Sequence, residues 1–320
     1  MSLNARALAV VAELQAQPDD FRVQVSQAPG GGDLIDCGVA APGGLDAGLA
    51  LARVCLADRA TVSLVPGPFG PTVQVATDDP LRACLAAQYA GWELAAGTFR
   101  ALGSGPMRAA AGREELLRHL ALTESAEAVV GVLETRTPPS TEIIQLIAVA
   151  CQVPPDRVTL LFAPTASLAG TLQVVARAVE TALHKLHLLG FDVRLITSAL
   201  GWAPLPPPAR SDLVAMGHTN DAIRYGGQVV LWTSADPAAL RNVGPRVPAS
   251  AAAGHERSFL ELFEESGRDF YRMDPLLFGP AAVTLHSVSR GSSECWGQLA
   301  PELLARSWGT PLPGMAPGMS

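Results

Sequence analysis

At 320 residues the chain is long enough for one large domain or two ordinary ones, and with 48% apolar and only 17% charged residues it is a globular chain with a large core, not a disordered one. A formal net charge of −7 argues against a duplex-binding surface, which needs a basic field, so no nucleic-acid partner is expected. No apolar run reaches the length of a membrane span, so no membrane partner is expected either.

The chain opens on an amphipathic helix over 3–15 rather than a signal peptide, since acidic and polar residues follow its short apolar centre. Alternation over 21–26 predicts a strand, and a second short strand at 34–39 stands between two glycine clusters. A helix follows over 46–56. Segments 60–65 and 71–75, joined by PGPFG, read as a hairpin. Residues 80–92 are expected to be helical, with Asp78 or Asp79 as the cap. Gly103-Ser104-Gly105-Pro106 is a tight turn whose glycines allow positive φ and close approach of another molecule, or else an ordinary connection. A helix is expected at 113–120. The small and β-branched run 128–133 fits a buried strand, and a helix follows over 140–151.

Residues 158–162 and 193–198 are predicted as strands on either side of a long helix, Ala163–Gly190. That order implies a parallel pair with a right-handed crossover, and ligands in such sheets tend to sit at the carboxyl ends of strands. Beyond it come a proline-stiffened loop from Ala203, a polar loop over 215–221, and a strand at 228–233. A flexible loop over 242–254, a helix at 258–270, a strand at 282–288 and a helix at 301–308 complete the chain. The division expected is an N-terminal α/β domain over 1–127, an α/β domain over 128–308 that carries the long helix, and a disordered tail over 309–320. Five widely spaced cysteines, 37, 55, 84, 151 and 295, read as buried free thiols of a cytoplasmic protein.

The long helix is the informative stretch. Thr165 or Ser167 is placed to cap its start, and Gly190 to end it in the left-handed region. Leu168, Leu172, Val175, Val179, Leu183 and Leu186 recur at helical spacing and predict a buried face. On the other side Gln173, Arg177, Glu180, His184 and His187 follow at steps of four, three, four and three, within roughly 80° of one another. The plain reading is a solvated face with an i,i+3 ion pair. Against it, the stripe lacks the redundant Lys and Glu of a solvated surface. His184 and His187 share that face, but without further ligands they make only a weak metal signal, and no metal site is expected.

Several stretches together resemble methenyltetrahydromethanopterin cyclohydrolase. They are DCGV at Asp36, ACLAAQYAGW at Ala83, LGSGPMRA at Leu102, APTASLAGTLQVVARAVETALHKLHLLGFDV at Ala163, GWAPLPPPARSDLVAMGHTNDAIRYGG at Gly201 and DPLLFGPAAV at Asp274. The resemblance covers nearly the whole chain, from about Leu3 to Trp308. It implies an α/β architecture of two domains facing across a large substrate cleft, and trimeric members. It also implies reversible hydrolysis of the methenyl bridge of a tetrahydromethanopterin-type substrate to the N5-formyl compound, with no metal or other cofactor. In a bacterium that step belongs to formaldehyde oxidation, and in a methanogen to methane formation. The Arg and Glu of the R-x-x-E helix, here Arg177 and Glu180, are placed by the resemblance at the reacting carbon. Three positions depart from the family pattern: His218 where Arg is expected, Ala87 where Ser is expected, and Arg224 inside the D-A-I-x-Y segment.

The substrate so implied is an amidinium-like cation. Water must add to its bridging carbon and one C–N bond must then break. One carboxylate can take the proton from water and deliver it to the departing nitrogen. Glu180 is the candidate, with Arg177 aligning the carboxylate or the water. Gln173 on the same face, Ser104 and Gly105 of the tight turn, and Thr219, Asn220 and Asp221 of the polar loop are the candidate substrate-binding residues. Asn220-Asp221 reads equally well as a turn or helix cap. The alternatives from other classes are a catalytically silent pterin-binding protein of the same fold and a nucleotide-dependent oxidoreductase. The second lacks G-x-G-x-x-G between a strand and a helix.

Overall fold

A computed structural model describes residues 1–312, apart from the side chain of Tyr271. The first elements are α1 (Leu3–Ala16), α2 (Pro18–Phe21), β1 (Gln24–Gln27), β2 (Asp33–Asp36), α3 (Leu45–Cys55), β3 (Thr61–Gly67) and β4 (Gly70–Thr77). A π-helical segment (Leu81–Gln88) leads to β5 (Trp92–Ala96), β6 (Phe99–Ser104), α4 (Met107–Ala111), α5 (Glu115–His119), β7 (Val129–Glu134), α6 (Thr141–Cys151) and β8 (Val158–Ala163). Then come α7 (Leu168–Val175), α8 (Ala178–Leu188), β9 (Ile196–Pro204), α9 (Asp212–Gly226), β10 (Gln228–Thr233) and α10 (Pro237–Val243). The last are α11 (Phe259–Glu265), β11 (Ala282–Ser287), β12 (Ser292–Gly297) and α12 (Pro301–Trp308). Among the described residues no helix is long and apolar enough to cross a membrane.

The fold is α/β, and the chain divides into two compact units. Unit 1 comprises 1–61 and 81–173; unit 2 comprises 62–80 and 174 onward. The boundary expected at 127/128 falls inside unit 1, because β7, just past it, is hydrogen-bonded between β6 and β8. The hairpin β3–β4, early in the chain, is paired into the other sheet through β9. The expected tail begins with residues that are still described, and Leu312 is buried; residues 313–320 lie outside the described residues.

Unit 1 is built on the sheet β1-β2-β8-β7-β6-β5, in which β2, β8 and β7 run parallel and the flanking strands antiparallel. The period-two geometry of a strand explains its layering. Val130 and Val132 of β7 and Leu161 and Ala163 of β8 enter one core with Val10 and Leu14 of α1 and Leu51 and Val54 of α3. Val129 and Leu133, alternating with them, join Val158, Leu160 and Phe162 in a second core with Ile143, Ile144 and Ile147 of α6 and Met107 of α4. A strand buried on both faces reads as a nearly continuous apolar run, and β8 is buried at all six residues and apolar at all but Thr159.

Unit 2 is built on β12-β11-β10-β9-β4-β3, with β10 and β11 parallel and β9 antiparallel to both of its neighbours. Alternate residues of β10 and β11 are buried, the others half-buried, so these strands have one closed face. The strand–helix–strand unit expected over 158–198 is therefore not a parallel crossover. Strand β8 belongs to the first sheet and β9 to the second, and the helical segment between them carries the chain from unit 1 to unit 2.

Four further expectations change. The stretch 80–92 is a π-helix followed by a strand, and neither the hairpin β5–β6 nor β12 is anticipated by the sequence pattern. The polar loop at 215–221 lies inside α9. The segment 242–254 is the end of α10 and two short 3-10 turns, with Val247 and Ala249 fully buried, so it is not a loose loop. Four cysteines are buried free thiols as expected, but Cys295 lies exposed on β12.

Asn4 ties these layers together in unit 1. Its Nδ2 donates to Pro106 O at 3.0 Å and to Glu124 Oε1 at 2.7 Å, while its Oδ1 accepts from Val130 N at 2.9 Å. Asn4→Ala leaves these buried groups without their partner and is expected to lower unfolding stability by roughly 2–4 kcal/mol, as each stranded buried group costs about 1–3 kcal/mol. Urea unfolding measures it; a loss below about 1 kcal/mol would show that the groups find other partners.

Candidate active site

The long helix expected at 163–190 is two helices. Its entry and exit are as read from the sequence. Ser167 Oγ accepts from Gly170 N at 3.0 Å and donates to Pro164 O at 2.8 Å. Gly190 has φ +80, and Phe191 N donates back to Leu186 O at 3.0 Å, the bond that closes a Schellman end. Between them the helix is interrupted at Ala176 and Arg177. Arg177 N donates to Val174 O at 3.1 Å, a three-residue turn, before Thr181 N donates to Arg177 O at 2.9 Å and α8 begins.

No glycine or proline marks this break; tertiary packing imposes it over local propensity. Each half is pressed against its own unit. A Cβ on Gly48 of α3 would stand 2.9 Å from Leu172 Cβ and 3.1 Å from Ala169 Cα, so the glycine lets α7 lie on α3 in unit 1. A Cβ on Gly201 of β9 would stand 2.6 Å from Val179 Cγ2, so that glycine seats the first turn of α8 on the sheet of unit 2.

Arg177 is consequently the N-cap of α8, with φ −88 and ψ 6, and Glu180 is the third residue of the helix. That backbone region is sparsely populated and frequent at active sites. Both side chains are buried, Arg177 at 7% exposure and Glu180 at 4%, so the solvated-face reading fails for them. A carboxylate in the first turn of a helix lies at the positive end of the dipole.

The expected stripe is divided as well. Gln173 closes the unit 1 part of the segment, fully buried, and the Cys55 thiol donates to its Oε1 at 3.7 Å. Cys55 Sγ is also 3.3 Å from Ser104 Oγ, so Gln173 and Ser104 meet around one thiol. Gly105 sits at φ +93, a value that favours glycine. A Cβ there would be 3.3 Å from Gly131 Cα and from Val130 O. His184 and His187 are half-buried on α8, and among the described residues no three His, Cys, Asp or Glu gather as a metal site.

On α9 the three remaining candidates bond within unit 2. Thr219 Oγ1 donates to Ala215 O at 2.9 Å and Asn220 Nδ2 to Met216 O at 2.9 Å. The Asp221 carboxylate, fully buried, accepts from Arg224 at 2.6 Å, from Ser307 Oγ at 2.7 Å and from Phe259 N at 3.1 Å. Arg224 is thus the buried partner of Asp221, and it also donates to the carbonyls of His255 and Arg257. His218 lines a cavity of about 250 Å³ with Asp221, Ser258, Arg306 and Ser307. Burial pushes the His218 imidazole below its ordinary range, against a contact with the Ser307 backbone.

Sequence reasoning missed Lys185. Its place near the C-terminus of the helix reads as that of a cation answering the dipole, yet it is 1% exposed, with Nζ donating to Pro248 O at 2.9 Å. Gly279 makes room for it: a Cβ there would be 3.0 Å from Lys185 Cδ. The only signal in the sequence is the apolar surround at 182–186.

Comparison with known proteins points to one family. The sequence model of the family described as Cyclohydrolase (MCH) matches residues 2–308. A methenyltetrahydromethanopterin cyclohydrolase of Xanthobacter autotrophicus is 44% identical over 313 residues, covering 97% of this chain and 93% of its own. One of Rhodopirellula baltica is 44% identical over 288 residues, 87% of this chain and 86% of its own. One of Methanosarcina barkeri is 37% identical over 316 residues, 97% of this chain and 98% of its own.

Burial lowers Lys185 from its ordinary 10.5 to about 8, with Asp274 opposing the shift and Arg224 adding to it. Between those values the unfolded chain holds a proton that the folded chain has released. Unfolding stability should therefore rise with pH across that window, by up to roughly 3 kcal/mol. Below it both states are protonated and the slope vanishes. Urea titrations of wild type and Lys185→Met from pH 7 to 10.5 test this; identical slopes would remove the buried ammonium as the cause.

Proposed function

This chain belongs to the Cyclohydrolase (MCH) family, and on that premise we propose that it is a methenyltetrahydromethanopterin cyclohydrolase of one-carbon metabolism, with Glu180 as its acid–base residue and Arg177 as the group that holds the reacting water or carboxylate in line. The observation that carries the assignment of residues is the burial of this oppositely charged pair in the cap and first turn of α8. Removing two charges from water costs several kcal/mol each unless the surroundings compensate.

Hydrolysis begins when water approaches the methenyl carbon, which shares a positive charge between two nitrogens. The Glu180 carboxylate takes a proton from that water as the C–O bond forms. The same proton is then delivered to the departing nitrogen as its C–N bond breaks, while the hydroxyl proton of the adduct leaves to solvent as the formyl C=O forms; the N5-formyl product is neutral, the carboxylate is restored, and the released proton carries away the positive charge of the substrate. The negative charge of Glu180 also favours the cationic substrate over the neutral product. Proton transfer alone balances the reaction, so no redox or metal cofactor enters the proposed chemistry. Ser104, Gly105, Gln173, Thr219, Asn220 and Asp221 are the proposed substrate-binding residues. Asp221 and Thr219 would act through the backbone they hold, their polar atoms being engaged with protein partners.

Cytoplasmic location fits four buried free thiols, and assembly as a homotrimer is proposed from the family resemblance. Sedimentation at the mass of three chains would support the trimer.

Glu180→Gln keeps the size of the side chain and removes its basicity. Turnover, followed by loss of methenyl absorbance, should fall by about 10²- to 10⁴-fold with substrate still bound. Unchanged turnover would refute the assignment. A loss confined to KM would instead make Glu180 a charge-neutralising residue.

A further inference from the structure

Two of the stretches that carry the family resemblance, ACLAAQYAGW and LGSGPMRA, meet in unit 1 around one buried cation. The first forms the π-helical segment, where Tyr89 N donates to Cys84 O, five residues back, at 2.9 Å. π-Helices are rare, mostly single turns, and concentrated at functional sites, because the extra residue per turn is tolerated only where something holds it. A wide turn ends with carbonyl groups that no following turn answers. Here Arg108, 1% exposed, answers them: its Nη1 lies 3.2 Å from Leu85 O, 3.4 Å from Ala86 O and 3.3 Å from Ala87 O. Gly105 N adds a bond to Ala87 O at 2.8 Å.

The rest of the guanidinium is equally committed. Nε donates to Glu114 Oε1 at 2.8 Å and Nη2 to Glu114 Oε2, and Cζ stands 5.0 Å from the centre of the half-exposed Tyr89 ring. Gly91 leaves the space for this stack: a Cβ there would be 2.5 Å from Tyr89 Cε1 and 2.6 Å from Glu114 Oε2. One side chain therefore fixes the end of the π-helix, the ring just beyond it and the start of the turn that contains Ser104 and Gly105.

We propose that Arg108 is a positioning residue for substrate binding, which locks the π-helical turn and the Ser104–Gly105 turn into one preformed wall. The proposal rests on the reading of that turn as substrate-facing. Without the cation the three carbonyls lose their common donor, and the segment can tighten to ordinary α-helical register. Dropping the extra residue rotates the end of the segment by roughly 100° and moves Gln88 and Tyr89 out of place.

The test is steady-state kinetics of Arg108→Met and Arg108→Lys, read as KM against kcat, with hydrogen exchange at the Tyr89 amide. For Arg108→Met the expected result is a KM raised about tenfold or more, with kcat within about threefold of wild type, since binding geometry is lost while Glu180 is untouched. Arg108→Lys keeps the charge but fewer donors, and should fall between; it carries the test alone if Arg108→Met does not fold. Exchange at Tyr89 N should quicken in step with KM. A purely structural arginine would lower the melting temperature and the active fraction, so kcat would drop with KM unchanged, and that result overturns the proposal. So does wild-type KM in a folded variant. Glu180→Gln, assayed beside them, keeps the two readings apart: its full activity would defeat the proposed mechanism, whereas its loss together with an unmoved KM in the Arg108 variants defeats only the positioning role.

Discussion

Charge held out of water is the constraint on which this structure turns. A guanidinium and a carboxylate one helical turn apart, both less than a tenth exposed, do not remain in a loosely built protein. Unpaired, a buried ion would shift its protonation or draw in water. The helix they begin is packed against the second sheet. Val179 lies against Gly201, where any side chain would collide with it, and Ala182, Leu183 and Leu186 are fully buried behind it.

Elsewhere the same chain uses buried cations for another purpose. Arg108 gathers the carbonyls that end the π-helix, Arg224 those of His255 and Arg257, and Lys185 that of Pro248. In each case the acceptors belong to backbone that is neither α-helix nor strand. Such backbone cannot satisfy its own carbonyls, and a buried carbonyl without a donor is costly. A long side chain with several donors repairs this from a distance. Irregular segments are tied down in this way, which matters here because two of the proposed substrate-binding residues, Ser104 and Gly105, stand at and just past the end of β6.

The sequence revealed elements wherever local chemistry and tertiary structure agree. β10 and α12 have the limits expected of them, 228–233 and 301–308. Ser167 and Gly190 bound the central segment because caps and left-handed ends are local events. The illegible part is the effect of one unit on another part of the chain. Nothing in LQVVARAV announces a break, because the break arises from packing partners distant in sequence, Gly48 and Gly201. Nothing in β8 or β9 says that they belong to different sheets, since both are simply apolar strands flanking a helical pattern. The acid–base candidates are visible through resemblance and a polar stripe, yet their burial is not.

Arg177 itself breaks a local rule. N-cap positions favour Ser, Thr, Asp or Asn, whose oxygens accept from the free N–H groups of the first turn, and losing such a cap costs about 1 kcal/mol. Arginine has no acceptor to offer, and the Arg177 side chain makes no capping bond. It also brings a positive charge to the positive end of the helix dipole. By stability alone this is among the poorest choices for the position, while the glutamate three residues on suits its place well. Departures from local preference that a fold nevertheless accommodates are expected where function requires them. The mismatch at one end of α8 is therefore an argument for the site that does not depend on kinship: a helix that had only to fold would begin with a serine.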